Sequence, residues 1–135
     1  MKTRNLSALL IMTSSLFLLS FTFYQNKPWP VPDKYVKMTN PVKSDAESLK
    51  EGKGLWTKHC QSCHGKLGKG DGTKAAQLET EIKDFSTAEI QNQTDGELFY
   101  KTYEGRDEMP SFKKKIAEEE DVWMVVNYIR TLKAK

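Results

Sequence analysis

Near the end of the chain, Val122, Val125, Val126, Ile129 and Leu132 recur at three- and four-residue steps, the period of one apolar face on a helix predicted from Glu118 to about Lys133. Glu118, Glu119, Glu120 and Asp121 open it and Arg130, Lys133 and Lys135 close it, the favourable order for the helix dipole. A second helix is predicted from Ser44 toward Cys60. Ser44-Asp45-Ala46-Glu47 has the serine-to-glutamate spacing of a capping box, and Leu49, Gly52 and Trp56 share a stripe. Glycine inside a helix costs about 1 kcal/mol relative to alanine, so Gly52 implies that another helix crosses closely there. The last helix is the expected partner, with Tyr128 over the glycine. Thr94-Asp95-Gly96-Glu97 repeats the capping signature ahead of Leu98, Phe99, Tyr100 and Tyr103, and Ser86 with Glu89 predicts one further short helix. No segment alternates convincingly at period two. The expected fold class is all-α, a small domain of about four helices.

The front of the chain has another character. Lys2 and Arg4 precede an apolar stretch from Leu6 to Phe23, and the first acidic residue is Asp33. This is the pattern of a secretory signal peptide or an N-terminal membrane anchor with its charged end inside. Six hydroxyl residues (Ser7, Thr13, Ser14, Ser15, Ser20 and Thr22) weaken the stretch as a permanent span, yet no A-x-A-like cleavage site follows, so both readings stand. Pro28, Pro30, Pro32 and Pro41 then disfavour helix over residues 24–43 and suggest an extended linker or arm. With a retained leader it would hold the following domain off the membrane; with a cleaved one, Trp29 and Tyr35 would pack on that domain. The expected organisation is therefore a leader or anchor at 1–23, a Pro-rich arm at 24–43 and a folded domain at 44–135.

The only two cysteines fall as Cys60-Gln61-Ser62-Cys63, with His64 directly after. That is the spacing of covalent haem attachment: one helical turn presents both sulfurs to one edge of a porphyrin, and the next residue brings an imidazole to the iron. Rival readings fit less well. Zinc wants four ligands, and the other histidine, His59, is too local to complete a tetrahedron. A thioredoxin-like dithiol belongs in a βαβ setting, and a plain disulfide leaves His64 without a role. For the opposite side of the iron the candidate is Met109, in Glu108-Met109-Pro110-Ser111-Phe112. The proline stiffens the backbone there, and a thioether opposite histidine raises the reduction potential. The alternative is a loop methionine filling a gap in the core. His59 reads as a solvated helix residue.

In its ordered features the chain resembles a class I monohaem cytochrome c over roughly Ser44 to Leu132: Gly52 and Trp56 before Cys60, the haem motif, the glycine-rich run from Gly65 to Gly72, Met109-Pro110, then Trp123 and Asn127-Tyr128-Ile129-Arg130. The resemblance implies a cytochrome c-like fold around one covalent haem c. Cys60 and Cys63 would be the thioether attachments, His64 the proximal iron ligand and Met109 the distal one. Family members commonly place a proline after the motif whose carbonyl orients the imidazole; Thr73 and its neighbours offer none, which leaves the partner of His64 open. The haem domain is expected on the periplasmic side of the cytoplasmic membrane, soluble if the leader is cleaved and anchored through residues 6–23 if it is retained.

Charge adds little. The chain carries 21 basic and 18 acidic residues, for a net +3, and Lys2 and Arg4 belong to the leader. Nothing in this balance supports a nucleic-acid role. Lys66, Lys69 and Lys74 follow the haem motif and Lys113, Lys114 and Lys115 follow Met109; they are either a basic rim that steers an acidic redox partner or a solvated surface. The glycine run lacks the P-loop and EF-hand spacings. The expected function is one-electron transfer in a respiratory chain, as a carrier or a cytochrome subunit without catalytic residues, with redox proteins or a membrane respiratory complex as partners. The alternative is a haem sensor or small enzyme with an open sixth iron site.

Overall fold

The computed structural model describes residues 28–135, so the predicted leader at 1–23 and the first part of the arm lie outside the described residues. The chain divides into two units, Met1–Pro30 and Val31–Lys135. Among the described residues, the second unit holds helices α1 (Asp33–Val36), α2 (Ala46–His59), α3 (Gln61–His64), α4 (Ala88–Gln91), α5 (Asp95–Glu104) and α6 (Glu119–Thr131), with a 3₁₀ turn at Ala75–Gln77. The fold is all-α, as the periodicity implied.

Helix α2 begins one residue later than its predicted cap. Asp45 is the N-cap, accepting from the Ser48 N–H at 3.0 Å, while Ser48 Oγ accepts from the Asp45 N–H at 3.1 Å. This register also lets the buried Ser48 hydroxyl donate to the Lys43 carbonyl at 2.7 Å. The buried stripe of α2 is Ser48, Gly52 and Trp56, whereas Leu49 is only half-buried.

Helix α6 spans the predicted region and buries Val122, Trp123, Val125, Val126, Asn127 and Ile129. It packs on α2 in the most extensive helix pair of the unit. Gly52 lies at the crossing, against the Met124 carbonyl and with Tyr128 Cβ 3.2 Å from the place a Cβ would occupy. Absence of a side chain is what lets the two backbones approach.

Helix α5 completes the core. Its predicted capping box is present, with Thr94 Oγ1 accepting from the Glu97 N–H at 3.2 Å and Glu97 Oε2 from the Thr94 N–H at 2.6 Å. Phe99 stacks on Trp123, ring centroids 4.2 Å apart. Helix α4 is also present, but its N-cap is Thr87 and makes no side-chain cap bond. Ser86, predicted as the cap, instead turns its hydroxyl to Asp84 at 2.7 Å and Lys69 at 2.5 Å, since a buried hydroxyl beside two charged groups has better partners than a helix end.

Where the sequence suggested an extended arm, Pro32 caps the single helical turn of α1. Pro28, Pro30 and Pro32 precede that turn and Pro41 follows it, so none interrupts it. Tyr35 packs on Tyr100 at 4.7 Å and on Phe99 at 6.5 Å. Asn40 Nδ2 donates to Asn127 Oδ1 at 2.9 Å and to the Trp123 carbonyl at 3.3 Å, and Asn127 Nδ2 returns a bond to the Val42 carbonyl at 3.2 Å. These bonds fasten the segment ahead of α2 to α6.

Candidate functional site

The chain leaves α2 at Cys60 and almost at once enters the single turn of α3. His64 and Cys63 both donate their N–H groups to the Cys60 carbonyl, at 2.9 and 3.1 Å. Residues three and four apart on a helical turn lie on the same side, so Cys60, Cys63 and His64 form one local cluster. Both thiols are free, Cys60 buried and Cys63 half-buried. Burial, assisted by the neighbouring Cys63, pushes the Cys60 thiol up to about 12 and keeps it protonated.

The glycine-rich run folds back onto this turn. Gly70 N–H donates to the His64 carbonyl at 2.9 Å, Gly72 to Cys63 at 3.2 Å and Lys74 to Ser62 at 2.8 Å. Gly65, which ends α3, has φ of 83°, a conformation that glycine adopts without a Cβ clash. Its carbonyl accepts the Trp56 indole N–H at 3.1 Å. Phe85, 4.8 Å from the His64 ring, and Trp56, 5.7 Å from it, restrict the imidazole. Desolvation pushes the His64 pKa down to about 4, leaving a neutral ring with a lone pair, the form that binds a metal. His64 Nδ1 is buried with no hydrogen-bond partner among the described residues. Among the described residues, the position left open by the missing proline is therefore filled by no protein acceptor.

Met109 lies on a separate loop, as its proline suggested. Arg106 and Met109 exchange backbone hydrogen bonds at 2.8 and 2.9 Å, closing a tight turn in which Asp107 has φ of 50°. The half-buried Met109 packs against the core cluster that contains Cys60 and Phe112. Next to it, Glu108 accepts hydrogen bonds from the backbone N–H groups of Thr80 at 2.7 Å and Glu79 at 3.1 Å. Those bonds, Thr80's first, hold the Glu108 carboxyl below its usual range. Glu79 and Thr80 belong to the Leu78–Ile82 segment, which with Gly70 and Gly72 lines a cleft of about 550 Å³. Sequence reasoning passed over Glu108, Phe85 and the Trp56 indole bond. Glu108 and its partners stand 28 and 29 residues apart, and no local pattern links them.

His59 is less solvated than expected: it is half-buried, its ring edge-on to Phe112 at 5.9 Å, and desolvation lowers its pKa. Two of the lysines after the motif and after Met109 are engaged within the domain, Lys69 with Asp84 at 3.2 Å and Lys113 with Glu104 at 2.6 Å. Lys66, Lys74 and Lys114 are exposed.

The donor set fits a covalently attached haem. Two free thiols and a neutral imidazole are gathered on one turn, a buried ring nitrogen lacks a partner, and a thioether packs on the same core as one of the thiols.

The family model described as "Cytochrome C oxidase, cbb3-type, subunit III" matches residues 47–129. A search of curated proteins finds no match. Among solved structures, the chain is similar to one from the "Kuenenia stuttgartiensis reducing HAO-like protein complex Kustc0457/Kustc0458", with a TM-score of 0.64 and 24% identity, over 83% of this chain and 54% of that one. At that identity the likeness shows a shared fold, and this chain spans about half the length of its neighbour.

Proposed function

The chain belongs to the c-type cytochrome family of the cbb3-type oxidase subunit III, and from that premise we propose that it moves single electrons through one haem c with His64 and Met109 as axial ligands, as a carrier or cytochrome subunit with no substrate chemistry of its own. The observation that carries this reading is the single turn holding Cys60, Cys63 and His64, with both thiols free and the imidazole kept neutral by burial. When bound, the haem supplies an iron that alternates between ferric and ferrous states.

The chain's own residues do the rest. Cys60 and Cys63 would hold the haem covalently, and His64, oriented by Phe85, Trp56 and the backbone bonds at either end of α3, would bind its iron. Met109, a soft donor on a stiff turn, would be the second protein ligand and would favour the ferrous state. With His64 and Met109 both bound to it, the iron would offer no site to a substrate.

The family's description as an oxidase subunit supports redox proteins or a membrane respiratory complex as partners. Lys66, Lys74 and Lys114 are the exposed cations that would meet an acidic partner surface. The basic start and the apolar stretch from Leu6 to Phe23 support a place on the periplasmic side of the cytoplasmic membrane.

Optical spectra of the oxidised and reduced holoprotein, with and without carbon monoxide, test the ligand set. A weak far-red band in the ferric protein that disappears in Met109→Ala, together with a reduced form indifferent to carbon monoxide, is the expected result. A high-spin wild type that binds carbon monoxide readily would replace this reading with a sensor or enzyme.

A further inference from the structure

We propose that Glu108 is the positioning residue for Met109: its carboxylate latches the methionine turn to the Glu79–Thr80 backbone and so holds the thioether at the iron. The proposal rests on Met109 as the sixth ligand. The turn itself cannot do this work. The paired backbone bonds between Arg106 and Met109 shape the turn internally, but a turn that is rigid within itself still moves as a body unless its sides are fastened.

On its C-terminal side the fastening is to α5. Ser111 Oγ donates to the Tyr103 carbonyl at 2.8 Å, and the Phe112 N–H donates to the same oxygen at 3.2 Å. On the other side the Glu108 carboxylate spans the gap, with one oxygen on each of two successive amides, Oε1 on Glu79 and Oε2 on Thr80. A carboxylate accepting from neighbouring N–H groups makes charge-assisted bonds with a set direction.

What the latch grips is as informative as the latch. Glu79 and Thr80 have no helical or strand bonding of their own, and their segment lines the same cleft as Gly70 and Gly72. Gly70 and Gly72 are in turn bonded to the carbonyls of His64 and Cys63. Gly70 also lies against the Ile82 carbonyl. A chain of backbone contacts thus runs from His64 through the glycine loop and residues 79–82 to Glu108, and Met109 is the next residue. One acidic side chain ties the segment bearing the proposed distal ligand to the segment bearing the proximal one.

The experiment compares wild-type, Glu108→Gln and Glu108→Ala holoproteins by four readouts. These are the ferric far-red band, the rate at which imidazole binds ferric iron, amide hydrogen exchange at Glu79 and Thr80, and the thermal midpoint. Expected are faster exchange at both amides and imidazole entry accelerated about tenfold in Glu108→Ala, the scale of one hydrogen bond to a charged group. Glu108→Gln, which keeps one acceptor oxygen, should fall between. The midpoint serves as a control for general loosening, which would not single out imidazole entry. A wild type with the band intact and variants whose imidazole rates are unchanged would overturn the latch while leaving Met109 as ligand. A wild type that lacks the band overturns the ligand, and the latch with it.

Discussion

Gly52 and Met124 meet backbone to backbone, with the Met124 carbonyl occupying the space where a Cβ on Gly52 would stand. Gly52→Ala gains about 1 kcal/mol of helix propensity but must push α2 away from α6, an overpacking cost of about 1–3 kcal/mol or more. The second term prevails, because the obstructing atoms are main chain and cannot rotate aside. Gly54, two residues on, has nothing within 4 Å of its virtual Cβ. We expect Gly52→Ala to lower the denaturant midpoint of the holoprotein and Gly54→Ala to raise it. Equal shifts in one direction would refute the crossing geometry.

Trp56→Phe keeps an aromatic ring beside His64 and removes the indole donor from the Gly65 carbonyl. The buried Gly65 carbonyl keeps a second, longer bond from the Gly68 N–H at 3.3 Å. Loss of about 0.5–1.5 kcal/mol is expected for one of two hydrogen bonds to a buried acceptor, read as a lower midpoint at unchanged m-value. An unaltered midpoint would show that the bond is dispensable.

Asp84 gathers the Ser86 hydroxyl and N–H and the Lys69 ammonium, and these bonds, the Ser86 hydroxyl first, lower its pKa. A carboxyl whose folded pKa is depressed contributes stability that is complete above its ordinary pKa of about 4 and is lost as pH falls through the lower folded value. Asp84→Asn should therefore flatten stability against pH below about pH 4 and lower it above that. Parallel curves for the two proteins, measured by urea titration at several pH values, would refute the assignment.

Arg130 ties three pieces of chain together, donating to Asp95 Oδ1 from two nitrogens at 2.6 and 2.8 Å, to the Gln91 carbonyl at 2.9 Å and to the Gln93 carbonyl at 2.6 Å. The fork geometry is particular to guanidinium, so Arg130→Lys should recover only part of the roughly 2 kcal/mol expected to be lost in Arg130→Ala. Full rescue by lysine in thermal denaturation would mean that charge alone matters.

A domain of this size buries a modest core, and a covalent haem would supply apolar volume and a staple. Replacing Cys60 and Cys63 together by alanine should broaden or abolish the cooperative thermal transition seen by circular dichroism. A sharp transition at the wild-type temperature would show that the polypeptide core suffices without the cofactor.

Much of this molecule was legible in short stretches of sequence. The Thr94–Glu97 box, the apolar face of α6 and the demand of Gly52 for a close neighbour are properties of residues three to eight positions apart, and a helix repeats on that scale. The α2 cap was displaced by one residue because Ser48 finds a second acceptor in Lys43, and α1 went unread because the prolines flank the turn. Ser86 was misassigned as a cap because Asp84 and Lys69 compete for its hydroxyl, and a capping pattern cannot register a partner seventeen residues away.

The sequence by itself determined the chemistry: Cys60, Cys63 and His64 share one turn whatever the rest of the chain does, because their spacing is shorter than the helical repeat's reach. Tertiary structure alone decided the surroundings. It left Nδ1 of His64 without a partner among the described residues, set Phe85 against the imidazole, turned the Trp56 indole onto Gly65 and joined Glu108 to Glu79 and Thr80. Apart from the Trp56 bond, which spans nine residues, the Phe85 and Glu108 contacts join segments more than twenty residues apart. Such loops meet only when the helices that carry them have packed, and periodicity records which face of a helix is buried but not which loop it brings alongside.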